Sequence, residues 1–135
     1  MAGTTFRSGI AALFRAVRSL LVREGVNVGG TAGYPRVEIH SLVENPPADK
    51  GGGLRSVDLV VECMSEERLA DAVAMTEENI VRLFAEAGFP VEGFSVAGVV
   101  AGQVRMLEEQ AVSDQNKVLY RILQDMTVWI QATSE

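Results

Sequence analysis

The chain has 135 residues, 47% of them hydrophobic and 22% charged, with a formal net charge of −6. This is the composition of one globular domain able to bury roughly two-thirds of its unfolded surface, and it argues against disorder. The negative balance argues against a nucleic-acid partner, and no stretch approaches the roughly 20 apolar residues a membrane span requires.

From about Thr5 to Glu24, Ile10, Leu13, Phe14, Val17, Leu20 and Leu21 recur at spacings of three and four, which predicts an amphipathic helix. Thr4 or Thr5 is placed to cap its start and Gly25 to end it. A glycine-rich loop, Asn27 to Gly33, leads to Tyr34–Leu42, where Val37 and Ile39 alternate inward and Arg36, Glu38 and His40 outward. That alternation predicts a strand with Pro35 at its opening edge. Val43 to Arg55 contains Asn45-Pro-Pro-Ala-Asp-Lys-Gly-Gly-Gly and reads as a long polar hairpin arm. Leu54 to Cys63 alternates through Val57, Leu59 and Val61, a second strand antiparallel to the first.

Ser65, followed by Glu66 and Glu67, has the character of a helix cap, and Leu69, Ala72, Val73, Thr76, Ile80, Leu83 and Phe84 carry the helical period to Ala87. Gly88 and Pro90 close that helix. Phe94 to Leu107 predicts a third strand bent near Gly98 or Gly102, and Glu108 to Asn116 a polar turn. The last strand puts Tyr120, Ile122, Met126, Val128 and Ile130 on one face and Leu119, Arg121, Leu123, Asp125, Thr127 and Trp129 on the other. The expected fold is α+β in the order α-β-β-α-β-β. It is a single domain over residues 1–135, a four-stranded, mainly antiparallel sheet with both helices packed on one face and the arm at about 43–55.

Signals of catalysis are thin. His40 is the sole histidine and Cys63 the sole cysteine, a set too small for the usual zinc ligands, and Cys63 falls in phase with the buried side of its strand. A nucleophilic role for Ser41 or Cys63 needs a base that nothing in the sequence positions. Gly29–Gly33 and Gly51–Gly53 lack the Gly-Lys-Ser/Thr ending of a phosphate loop, and Lys50 precedes its glycines. The carboxylates belong to helix faces and turns, with no pair forced into one apolar pocket. We therefore expect no enzyme, no cofactor and no metal. A lone cysteine and an N-terminus without a signal-peptide core point to a reducing, cytoplasmic origin.

Interaction chemistry is the alternative. Pro46 and Pro47 stiffen the arm and lower the entropy lost when it docks, and Trp129 on the mixed face is a candidate interface anchor. An N-terminal helix, a hairpin with a polar arm, a Ser-Glu-Glu-Arg-Leu-Ala-Asp-Ala-Val helix and a closing Tyr-Arg-Ile-Leu-Gln-Asp-Met-Thr-Val-Trp-Ile strand follow one another over nearly the whole chain. Together they resemble the tail terminator, or tail completion, proteins of long-tailed bacteriophages and prophages. The resemblance implies a homohexameric ring in the neck or tail of a virion, assembled in the bacterial host cytoplasm. The ring caps the finished tube, ends its polymerisation and joins it to the head. The implied partners are further copies of the chain, the major tail tube protein and the head–tail connector protein.

A closed ring needs a heterologous interface, expected from strand edges and the arm, with Arg36, Glu38, Pro46, Pro47, Asp49, Lys50, Arg55 and Trp129 as contacts. Two other classes fit the same elements. One is a small ferredoxin-like ligand-binding or regulatory module, with an apolar pocket. The other is an enzyme subunit completed by a partner, with a perturbed glutamate or His40 in a cleft.

Overall fold

The computed structural model describes residues 8–23, 25–29, 33–47, 53–66, 68–85, 90–110 and 118–133, giving the backbone alone at 80–85 and 109–110. Thr4, Thr5, Asp49 and Lys50 fall outside them. The elements are α1 (Ile10–Arg23), β1 (Arg36–Glu44), β2 (Leu54–Glu66), α2 (Leu69–Ala85), β3 (Phe94–Gln110) and β4 (Val118–Ala132). This is the expected α-β-β-α-β-β order, with every strand pair antiparallel and the sheet ordered β1-β2-β4-β3. The C-terminal strand is therefore central.

Helix α1 begins at Ile10 rather than near Thr5. The Gly9 carbonyl accepts the first helical bond from Leu13 at 2.9 Å. The Glu44 carboxylate, arriving from β1, accepts the Gly9 N–H at 2.7 Å and the Ser8 hydroxyl at 3.1 Å. A remote acid thus joins a local hydroxyl in capping the helix, since Ser8 Oγ accepts the Ile10 N–H at 3.2 Å, and the acid's charge suits the positive end. The far end closes as expected. Gly25, at φ 84°, donates to Val22, and Val26 donates to Leu21, which is the Schellman arrangement that glycine permits.

Strand β1 turns Val37 and Ile39 into the core and Arg36, Glu38 and His40 to the outer face, as the alternation requires. A bulge between His40 and Val43 then adds one residue, with Ser41 at φ 59°. Beyond it the faces exchange, so that Glu44 points inward to α1 and Val43 outward. The arm is correspondingly shorter than expected. Val43, Glu44, Leu54 and Arg55 belong to strands, and Asn45 is still bonded to Ser56 through its backbone at 2.9 Å.

Strand β2 runs three residues past Cys63. Ser65 is no helix cap: it is buried and paired with Tyr120, because the ladder to β4 continues without a break from Leu54 to Glu66. Helix α2 starts only at Leu69. Strand β3 has the expected bends as bulges between Val96 and Gly98 and between Ala101 and Val104, and it continues through Gln110, where a turn was expected.

The core lies between the sheet and its helices. Leu13, Val17 and Leu21 of α1 meet Val57, Leu59 and Val61 of β2 and Met126, Val128 and Ile130 of β4, all at most 2% exposed. Helix α2 packs on the same side, where Asn79 donates to the Cys63 sulfur at 3.5 Å. Gly9 lies so close to β4 that a Cβ there would sit 2.3 Å from Ile130 Cδ1.

Candidate interaction surface

Among the described residues no helix covers the outer face of the sheet, which is polar in its larger part, yet parts of it are closed. Met64, Leu119 and Tyr34 form a small apolar cluster at one end, and the Arg36 guanidinium lies 4.8 Å over the Tyr34 ring. Beside it Glu62 is only 3% exposed although it faces outward. His40 Nε2 approaches one of its oxygens at 2.8 Å, and the Arg121 guanidinium donates to the other. Burial alone would raise the Glu62 pKa, but the hydrogen bonds and charges of Arg121 and His40 outweigh it and hold the carboxyl below its usual value. His40 Nδ1 in turn lies 2.9 Å from Ser41 Oγ.

Sequence reasoning found no base beside Ser41; in the structure the imidazole of the preceding residue lies against its hydroxyl. As a neutral imidazole donating Nε2–H to Glu62, His40 would turn the Nδ1 lone pair to the hydroxyl; as an imidazolium it donates Nδ1–H there instead. The one-residue bulge turns Ser41 onto this contact, and a bulge leaves little trace in sequence. Next to it a groove of about 390 Å³ crosses the sheet, lined in part by Ser41, Asp58, Val60, Asp125 and Thr127. The Thr127 hydroxyl donates to Asp58 at 2.6 Å, and Arg105 pairs with Asp125 at 2.7 Å.

The expected contact residues are not gathered in one patch. Arg36 and Glu38 sit 3.3 Å apart on the outer face of β1, Pro46 and Pro47 are exposed, and Trp129 is half-buried on the outer face of β4 opposite Ser56 and Gly98. Arg55 departs from the expected exposure. It points inward, is 4% exposed, pairs with Glu44 at 3.3 Å and stacks 5.3 Å from the Phe94 ring. It braces the start of α1 from inside the subunit.

The surface that sequence reasoning missed is the outer half of β3. Val100, Val104, Met106 and Leu107 are 46–57% exposed, from both faces of one strand at the sheet margin. The apolar run was visible; its place at an edge depends on the strand order. Cys63 behaves as expected of a small core residue. Burial pushes its thiol up and the Glu62 charge adds to this, against the smaller pull of Thr76 and Asn79.

A larger groove, about 780 Å³, runs between α1 and residues 90–94, with Arg15, Arg23 and Glu92 on its rim. Among the described residues, no group of three or more His, Cys, Asp or Glu side chains could hold a metal ion. Likewise none of their helices is long and apolar enough to cross a membrane.

No protein-family model and no curated protein matches the chain. The fold does have a solved counterpart. A chain of the virion of a native gene transfer agent particle superposes with a TM-score of 0.70 at 18% identity, covering 94% of this chain and 100% of that one. At this identity the likeness establishes a shared fold.

Proposed function

We propose that this protein is a structural component of a phage-like virion, and that it acts as the tail terminator: a ring that caps the completed tube, halts its growth and offers the joining surface to the head connector. The observation that carries the reading is the superposition of 94% of this chain on the whole of a chain from a gene transfer agent virion. Two further features agree with it. The longest edge strand presents apolar side chains, as a subunit does before assembly, and the α-β-β-α-β-β order is the one on which the sequence resemblance rests. In this reading Glu38, Pro46, Pro47 and Trp129 meet neighbouring subunits or the tube, and the protein breaks no bonds. Electron microscopy of tail tube protein polymerised with and without this chain tests it. Tubes of uniform end structure and arrested length are expected; unchanged elongation at saturating protein would exclude the role.

One observation favours a second reading. The contact chain Ser41–His40–Glu62, beside an open groove, has the order of groups that activates a serine for acyl transfer, and a lowered glutamate next to His40 is what a partner-completed enzyme would show. Glu62 is, however, also tied by Arg121, as a structural clamp requires. Hydrolysis of an activated ester that disappears in Ser41→Ala would establish the second reading; equal background rates would dismiss it.

A further inference from the structure

Among the described residues, both margins of the sheet have an open stretch of edge. β3 forms one margin, and its outer edge has no strand partner among the described residues. β1 forms the other, and there, among the described residues, Val28 bridges only Val37, which leaves the edge from Ile39 to Glu44. Natural sheets protect such edges with lysine, proline or brevity. β3 is 17 residues long, contains neither lysine nor proline, and exposes Val100 at 53% and Val104 at 57%. On β1, Val43 is 55% exposed.

We propose that the β3 edge of one copy pairs antiparallel with the β1 edge of the next, so that one sheet continues from subunit to subunit. This names the contact for the self-assembling reading above and rests on it. Three properties of the two strands point to it. Because neighbours alternate in direction through β1-β2-β4-β3, β1 and β3 run oppositely, and a copy placed alongside by rotation brings them together antiparallel.

Their faces also match. With Val43 opposite Val100, Ile39 falls opposite Val104 and Glu38 opposite Arg105. Val43, Val100, Glu38 and Arg105 all face outward, while Ile39 and Val104 face the helices. A slip by one residue would set every one of these pairs across the sheet. Finally, each strand carries a bulge of one extra residue, between His40 and Val43 and between Ala101 and Val104. In this register the bulges lie nearly opposite, so the extra residues cancel and the faces agree on both sides of them. Val43 against Val100 removes apolar surface from water, and Glu38 opposite Arg105 brings the Arg36–Glu38 and Arg105–Asp125 pairs together with opposite charges facing. A contact between two different edges is heterologous, and it closes as a ring when the rotation per subunit divides the circle.

Disulfide trapping tests the pairing. Directly opposed residues lie within disulfide reach, and the native Cys63 is buried. Full-length protein carrying Val43→Cys and Val100→Cys should give, on oxidation, a ladder of covalent oligomers on non-reducing gels, while each single variant stays monomeric. Val100→Cys alone cross-linking to dimers would replace the proposal with a two-fold β3–β3 contact. Oligomers seen by mass but untrapped in the double variant would overturn it, as would a monomer at all concentrations with and without tube protein. Val100→Lys, at an exposed site, should leave circular dichroism unchanged and weaken self-association about tenfold or more; unchanged association would also count against the edge. Tubes capped normally by Val100→Lys would refute the edge and spare the terminator reading. Trapped ladders from protein that never arrests a tube would do the reverse.

Discussion

Glu62 shows how much one side chain depends on its neighbours across the sheet. Alone on the outer face it would be a solvated acid; between His40 and Arg121 it is closed off and stays ionised. Its folded pKa lies below the ordinary 4.5. The stability it contributes is therefore complete above that value and fades as the pH falls below it through the lowered folded pKa. Glu62→Gln should cost about 2 kcal/mol near neutral pH, since it weakens two charge-assisted hydrogen bonds. The difference from wild type should narrow on acidification, as chemical denaturation at several pH values would reveal; a constant difference would contradict the assignment. Cys63 gives a second residue-scale expectation. Its buried, raised thiol should resist a thiol reagent in the native state and react only in denaturant.

At the scale of elements, the start of α1 depends on residues far away in sequence. Glu44 joins the Gly9 amide, the exposed Ser8 hydroxyl and the buried Arg55 guanidinium in one part-buried junction. Glu44→Ala should destabilise the fold by about 3 kcal/mol, because it removes the cap and one partner of a buried ion pair. Thermal unfolding would measure this, and a loss near zero would show that the junction contributes little. Gly9→Ala should cost about 1–3 kcal/mol by forcing the wholly buried Ile130 aside. The two edge strands share this dependence on distant partners. Each bulge is defined only against a neighbour, His40–Val43 against β2 and Ala101–Val104 against β4.

At the scale of the whole molecule, the described residues form a four-stranded sheet with helices on one side, and among them nothing else pairs with or covers its other face and most of its two margins. The described part of the β1–β2 connection folds back through Asn45, which bonds Ser56 and Asp58. Half of the exposed large apolar side chains among the described residues lie instead along β3. Assembly through that margin should be largely insensitive to salt, because its anchors are valines and Glu38–Arg105 is a peripheral ion pair. Sedimentation at low and high ionic strength checks this, and dissociation on adding salt would indicate that charge dominates the contact.

Period and local chemistry, read from the sequence alone, determined the number and order of elements, the inward faces of α1, β1, β2 and β4, the glycine stop at Gly25 and the bends of β3. These are local properties, set within one or two turns of chain. Only the tertiary structure decided that the last strand is central, that β3 is an edge, that Glu44 caps α1, that Arg55 is buried and that His40 stands between Ser41 and Glu62. Each of those depends on which strand lies beside which. The β2–β4 ladder that fixes the order joins residues more than fifty positions apart, a pairing no local pattern encodes.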